Sequence, residues 1–338
     1  MISSLELARL AGVSQGTVDR ALHGRPGVAA ATRGRILALA EQHGYQANPV
    51  AREMMGLATS PLVGAVVHDM GGMAVFFTRL MTTIHRRLRQ DGLHLVMSYG
   101  SDAAEQREVA THLLARRLRA LLLVHAQPGA LPTASGIPLA ALVLEAEGAT
   151  PLLPDEQATG RGAAAALLSL GHRRLCVISR GEHAVAAARR DGFTGVVQAA
   201  GAQVVVAPGI AEALTAVSGG ATAVMCHNDP QAEALIAALA SRGLSCPRDV
   251  SVVGVDGATD DRRIATMAYP FAAIAEAVAA LIAGIVPAAI PECRWRDGSS
   301  AARLWKRRGR RDSRRPRASL GDDAPYLIVT SLPASAEA

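Results

Sequence analysis

The chain has 338 residues, half of them hydrophobic and 3% aromatic, with a formal net charge of +6. That length suits two or three domains, and the apolar content excludes an intrinsically disordered chain. Residues 1–60 carry six Arg against four acids and residues 291–317 carry eleven Lys or Arg against three acids, so the basic charge sits mostly in a late segment and is not by itself a sign of a nucleic-acid partner.

At the N-terminus, Glu6 and Arg9 stand where a signal peptide would have an apolar run, so none is expected. Residues 7–22, LARLAGVSQGTVDRAL, read as two short helices joined by a tight turn. Ala8 and Ala11 offer small apolar contacts, Gly12 a permissive turn position, and Ser14 a side-chain cap for the second helix. Val18 and Leu22, four apart, mark a buried face. Gln15, Gly16, Thr17, Asp19 and Arg20 fall on or near the other face, where a helix in a DNA major groove presents base-reading and phosphate-touching groups. An ordinary helical hairpin in a globular core fits this stretch equally well. After the turn HGRPGV, a third helix over 32–43 places Ile36, Leu39 and Ala40 on one face and stops at Gly44, with Tyr45 able to pack back onto it. Asn48 and Pro49 read as a further helix start.

From Leu62 onward, apolar strand-like runs alternate with helical stretches. The strands are 62–67, 93–97, 120–124, 139–143, 174–179, 203–207, 222–226 and 250–254, and helices over 77–90, 157–170, 185–200 and 230–242 separate most of them. Such alternation calls for parallel sheets covered on both faces, here two sets of four strands, with a ligand cleft at the strands' carboxyl ends. Cys176, Cys226, Cys246 and Cys293 show no CxxC spacing, which argues against a zinc site or redox pair, and no cofactor is expected. The apolar run 272–290 is broken by Glu276 and Pro287 and is not expected to span a membrane. Residues 291–323, basic and poorly periodic, read as an exposed insertion: a solvated loop or a second phosphate contact.

The run LELARLAGVSQGTVDRAL, then GRPGV, then TRGRILALAEQHGYQANPVAREM is similar to the N-terminal segment of the lactose repressor (LacI/GalR-type) family of bacterial transcription regulators. The later blocks DEQATGRGAAAALLSLGHRRLCVIS, RRDGF, TAVMCHNDPQAEAL, GLSCPRDVSVVGVDG and ATMAYPF resemble that family's effector domain, whose fold is that of periplasmic sugar-binding proteins. The resemblance implies an all-α helix-turn-helix head over 1–47, a hinge helix and linker over 48–60, and a two-lobed α/β effector and dimerisation domain with parallel sheets over 61–338. The first lobe is expected over 61–155 and 273–322, the second over 156–272 and 323–332 with a last strand at 326–331.

The same resemblance implies DNA contacts from Ser14, Gln15, Gly16, Thr17 and Arg20 in the head and from Asn48, Ala51 and Met54 in the hinge. Met54 stands where relatives wedge a Leu into the minor groove. Asp19 replaces the Ser of most relatives and is expected to pair with Arg20 or a third-helix Arg. Ala29 replaces a Ser cap, a loss of about 0.5 to 2 kcal/mol. Arg189, Asn228, Asp229 and Asp256 match effector-binding positions, where a guanidinium donates and carboxylates accept from vicinal hydroxyls. For Asn228 and Asp229 a helix cap is the alternative. Asp69, Phe76 and Phe77 are first-lobe candidates, the aromatic pair for stacking on a sugar ring, and His68 and Tyr99 are candidates at the cleft edge.

No Ser/His/Asp set, metal cluster or phosphate-cradling glycine motif appears at credible spacing, which favours binding over catalysis. The expected function is a cytoplasmic, dimeric, sequence-specific DNA-binding repressor, nucleoid-associated on its operator and controlled by a sugar or polyol. A sugar-binding transport component and a carbohydrate-metabolism enzyme are the alternatives. The missing signal peptide opposes the first and the missing catalytic constellation the second.

Overall fold

A computed structural model describes residues 2–45, 60–68, 74–130, 136–179, 184–259 and 262–304. The chain forms two compact units, Met1–Ser60 and Pro61–Ala338. The expected hinge residues Asn48, Ala51 and Met54, together with Asp69 and the strand expected at 326–331, lie outside the described residues.

In the first unit, α1 (Ser4–Ala11), α2 (Gln15–Leu22) and α3 (Ala30–Gln42) pack around Leu7, Ala8, Ala11, Val18, Ala21, Ile36 and Ala40, with Leu22, Leu39 and Tyr45 partly buried against them. α1 opens with a capping box that the sequence reading missed. The Ser3 N–H donates to Glu6 Oε2 at 2.7 Å, and the Ser3 hydroxyl accepts from the Glu6 N–H at 3.2 Å. Gly12 ends the helix at φ 63°, a conformation that costs other residues a clash with Cβ. Ser14 caps α2 as expected, accepting from the Thr17 N–H at 3.2 Å. α3 begins at Ala29 without a side-chain cap bond.

The second unit holds two sheets. The first has strand order β2-β1-β3-β4-β5, from β1 (Leu62–His68), β2 (His94–Gly100), β3 (Ala120–Val124), β4 (Leu139–Leu142) and β5 (Thr150–Pro151), all parallel. The second has the order β11-β10-β9-β8-β6-β7, from β6 (Arg174–Ile178), β7 (Gln203–Ala207), β8 (Ala223–Met225), β9 (Ser251–Asp256), β10 (Ala265–Ala268) and β11 (Arg294–Arg296). β3 and β9 are buried at every position, as central strands covered on both faces must be. The helices are α4 (Ala74–Gln90), α5 (Ala103–Leu114), α6 (Glu156–Ser169), α7 (Ala184–Ala199), α8 (Ile210–Ser218), α9 (Asp229–Ala240) and α10 (Phe271–Ile282).

All eight expected strands are present, but the sheets are larger than two sets of four because β5, β10 and β11 join them. β11 also corrects, for residues 293–304, the reading of 291–323 as an exposed insertion and of 273–322 as first lobe. α10 packs on α4 of the first lobe, but the chain then returns, and β11 pairs antiparallel with β10 in the second sheet. Cys293 and Ser300 are buried there, and the Ser300 hydroxyl donates to the Val252 carbonyl at 2.6 Å while accepting from the Ala265 N–H at 2.9 Å. The basic residues beyond 304 lie outside the described residues.

The closest approach between helices is that of α6 and α7. A Cβ at Gly160 would strike the Arg189 carbonyl oxygen, and one at Gly192 would strike that of Gln157. The two backbones therefore touch with no side chain between them. Gly192→Ala is expected to destabilise the chain by about 1–3 kcal/mol, because backbone must move to admit the methyl. Gly195→Ala on the same helix, where a Cβ meets open space, is expected to stabilise by up to about 1 kcal/mol through helix propensity. Urea denaturation of both variants checks the opposite signs.

Candidate functional site

On the head, packing buries Val18 and Ala21 of α2 and leaves Gln15, Gly16 and Arg20 exposed. The Gln15 amide nitrogen donates to the Ser4 hydroxyl at 2.6 Å, which ties the start of α2 to the start of α1. The Thr17 hydroxyl is hydrogen-bonded to that of Ser14 at 2.9 Å. With no side chain at Gly16, the Arg20 guanidinium folds back until its Nη2 stands 4.0 Å from where a Cβ would be. Asp19 does not pair with Arg20 or with a third-helix Arg. Its carboxylate meets Arg25 Nη1 and His23 Nδ1, each at 3.1 Å. The intervening turn brings Arg25 back to α2, while Arg33 of α3 donates to the Arg25 carbonyl at 2.5 Å. Arg20 thus has no acid partner among the described residues and is exposed on α2.

The second sheet gathers a buried polar cluster at the carboxyl ends of its strands. Asp256 closes β9, is 3% exposed and has φ 112°. L residues rarely adopt that conformation, and it costs about 1–3 kcal/mol, so the surrounding structure must impose it. Arg189 on α7, 6% exposed, donates through Nε and Nη2 to the two oxygens of Glu156 at 2.5 and 2.9 Å, and through Nη1 to the His227 carbonyl at 2.8 Å. Burial works against the Arg189 charge, but the charge and hydrogen bonds of Glu156 outweigh it and hold the guanidinium protonated. Burial likewise pushes the Asp256 carboxyl well above the usual carboxylate range, against the opposing pull of Arg189. Tyr269 and Cys293 complete the cluster, each feeling the charges of Glu156, Arg189 and Asp256.

Phe76, just after β1, packs edge-on against Tyr269, just after β10, with ring centroids 5.1 Å apart. The carboxyl ends of the two sheets therefore face each other, and the cluster lies at the junction between lobes. Arg189 and Asp256 come together there as expected. Glu156, Tyr269 and Cys293 belong to the same cluster and were missed. Asn228 caps α9, its Oδ1 accepting from the Gln231 N–H at 2.9 Å. Asp229 is not that cap. It lies one residue into the helix, and its Oδ2 accepts from the Gly257 N–H at 3.0 Å, so it positions the turn after Asp256.

The aromatic pair is placed differently from expectation. Phe76 is enclosed by Phe77, Tyr269 and Phe271 at centroid distances of 5.1–5.5 Å, and such an enclosed ring offers no free face for stacking. Phe77, His68 and Tyr99 line a separate cavity of about 470 Å³ between α4 and β2, together with Met81, His85 and Met97. Phe77, His68 and Tyr99 are therefore not brought to the Arg189–Asp256 cluster. Among the described residues no group of His, Cys, Asp and Glu could hold a metal ion, and no helix is long and apolar enough to cross a membrane.

Residues 5–48 match the family model described as bacterial regulatory proteins, lacI family, and residues 164–300 match a periplasmic binding protein-like domain. The chain is 30% identical over 312 residues to the HTH-type transcriptional regulator GntR of Pseudomonas aeruginosa, covering 82% of this chain and 89% of that protein. The chain belongs to the LacI family. It is a DNA-binding transcription regulator with a helix-turn-helix head and an α/β core of parallel sheets. Among solved structures, the lac repressor dimer bound to operator and the anti-inducer ONPF matches with a TM-score of 0.75 at 20% identity, covering 89% of this chain and 99% of that one. A complex of the transcriptional regulator CelR with cellobiose matches with a TM-score of 0.60 at 21% identity, covering 89% of this chain and 100% of that one. For this LacI-family chain the periplasmic-type match extends to residue 300, in keeping with β11 as part of the second sheet.

Burial pushes the Asp229 carboxyl up to about 6. With the folded value above the unfolded one near 4, the folded state holds the proton more tightly, so stability is fullest at low pH and falls as pH rises from about 4 through 6. Partial solvent screening leaves an effect of about 1–2 kcal/mol. Asp229→Asn, which keeps an acceptor for Gly257, is expected to flatten that part of the stability–pH curve, as followed by urea denaturation from pH 4 to 7.

Proposed function

We propose that this regulator is an operator-binding repressor that acts as a homodimer and is controlled by a small hydroxylated ligand, a sugar or polyol, at the junction of its two lobes. The observation that carries this reading is the buried pair Arg189 and Asp256 beneath the first lobe's Phe76, in a chain whose α2 leaves Gln15, Gly16 and Arg20 exposed. The solved complexes of the lac repressor dimer with operator and of CelR with cellobiose support the same division of labour between head and core.

Gln15 and Arg20 suit adenine and guanine edges in the major groove. Ser14, Gly16 and Thr17 line the start of the reading helix, and Asn48, Ala51 and Met54 would follow the minor groove, where an apolar Met can wedge a base step. Two heads on one pseudo-palindrome combine contacts that one head makes weakly. Asp256 accepts ligand hydroxyls, and Asn228, its Oδ1 engaged in capping, retains an NH2 group to donate. A ligand that binds the off-DNA state 100-fold better supplies about 2.7 kcal/mol of coupling.

In gel-shift assays with DNA flanking its own gene, the protein is expected to give a salt-sensitive, sequence-specific shift, and its absence rejects the regulator mechanism at this locus. Arg20→Ala should lose about 1–3 kcal/mol and relax preference at one base position; uniform weakening across sequences would make Arg20 a phosphate contact instead. Asp256→Ala should keep operator binding and lose the response to whichever sugar or polyol shifts the wild-type melting temperature. An unchanged response removes Asp256 from the ligand site.

A further inference from the structure

The Arg189 guanidinium is already engaged. Nε and Nη2 meet the two oxygens of Glu156 and Nη1 meets the His227 carbonyl, with side-chain exposures of only 8% for Arg189 and 11% for Glu156. The pair is fixed by the helices that carry it, because α6 and α7 touch backbone to backbone at Gly160 and Gly192. Three of its five N–H donors are thus taken, including both of the Nε/Nη2 fork that would grip a second carboxylate. Beside it, the Asp256 carboxylate takes no hydrogen bond from any described donor and meets Arg189 only as a charge. With the Arg189 charge matched by Glu156 and the Asp256 carboxyl pushed toward its neutral form by burial, the three side chains hold no unpaired cation in a site shielded from water. An incoming anion would be desolvated with no free cation to receive it, whereas ligand hydroxyl or ammonium hydrogens could be accepted by the Asp256 carboxyl oxygens.

We propose that Glu156 is a specificity-determining residue: it takes the Arg189 fork in place of a ligand anion, leaves Asp256 as the principal acceptor, and restricts the site to neutral or cationic polyhydroxyl ligands. Aldonic acids, uronic acids and sugar phosphates are excluded. This rests on the reading of the lobe junction as the effector site.

The test uses the full-length chain, wild type and Glu156→Gln, screened by thermal shift and then by calorimetric titration. The probes are matched series: glucose, glucosamine, gluconate, glucuronate and glucose 6-phosphate, with the corresponding galactose, mannose and pentose sets. Wild type is expected to respond only to neutral or amino members. Glu156→Gln is expected to raise the affinity of the acid counterpart at least tenfold relative to its neutral partner. Wild type binding an acid or phosphate as tightly as the neutral sugar overturns the proposal, and so does a folded Glu156→Gln variant with an unchanged acid-to-neutral ratio. The wild-type ratio needs no variant, so the proposal stays exposed even if Glu156→Gln does not fold. Failure of the underlying reading looks different: either no series shifts wild type, or the response survives Asp256→Ala, and the assignment of Glu156 then falls with it.

Discussion

The buried Glu156–Arg189–Asp256 cluster, the proposed ligand site, depends on one packing constraint, the backbone contact between α6 and α7. Gly160 sits against the Arg189 carbonyl and Gly192 against that of Gln157, so the helices cross at a distance that no side chain could maintain. That crossing brings the first residue of α6 under the middle of α7. Glu156 can then reach both Nε and Nη2 of Arg189, and Arg189 in turn bridges to the chain after β8 through the His227 carbonyl. A methyl between the two helices would strain the geometry of the buried ion pair. A buried charge without its partner is among the costlier defects a fold can carry, about 3–5 kcal/mol. The glycines are therefore part of the site although neither bears a side chain.

The head is built on the opposite principle, with local capping in place of long-range burial. Ser3, Gly12 and Ser14 set the ends of α1 and α2 within the helices' own turns, and a small core of Leu7, Val18, Ala21 and Ile36 locks them together. Asp19 is absorbed by Arg25 and His23, so its negative charge is neutralised within the head and does not face the phosphates alone. This leaves Gln15 and Arg20 as the long polar side chains on the exposed face of α2. Under the proposed function such a face would make few base contacts, so selectivity would depend on repetition in a dimer.

The central strands were legible in the sequence because strands buried on both faces are mostly apolar, as the run of Ala, Leu and Val in β3 and the valines of β9 are. β11 was not legible, because Arg294, Trp295 and Arg296 form an edge strand whose polar residues follow no burial pattern. Only its partner β10 and the anchoring of Ser300 on Val252 reveal it. Arg189 and Asp256 could be marked from motif resemblance, but Glu156 could not. Its role arises from a helix crossing encoded by two glycines 32 residues apart in sequence, and small residues in a helix do not announce which neighbour they admit. Phe76 and Phe77 show the same limit, since adjacent residues on a helix point about 100° apart and only the packed structure separates the lobe junction from the α4–β2 cavity.

A buried ion pair is weak evidence for stability, because desolvating two charges offsets most of their attraction. A well-packed apolar set at Glu156, Arg189 and Asp256 would hold the second lobe together at least as well, and would spare Asp256 its strained backbone. The arrangement therefore contributes little to the stability of the second lobe, as the proposed ligand site would lead one to expect. A molecule whose hydrogens satisfy Asp256 removes part of the cost of burying that carboxyl only when it lies between the lobes. Under the proposed function, a ligand held by Asp256 would favour whichever arrangement of the lobes keeps it enclosed, and such a difference in affinity is what an allosteric equilibrium requires.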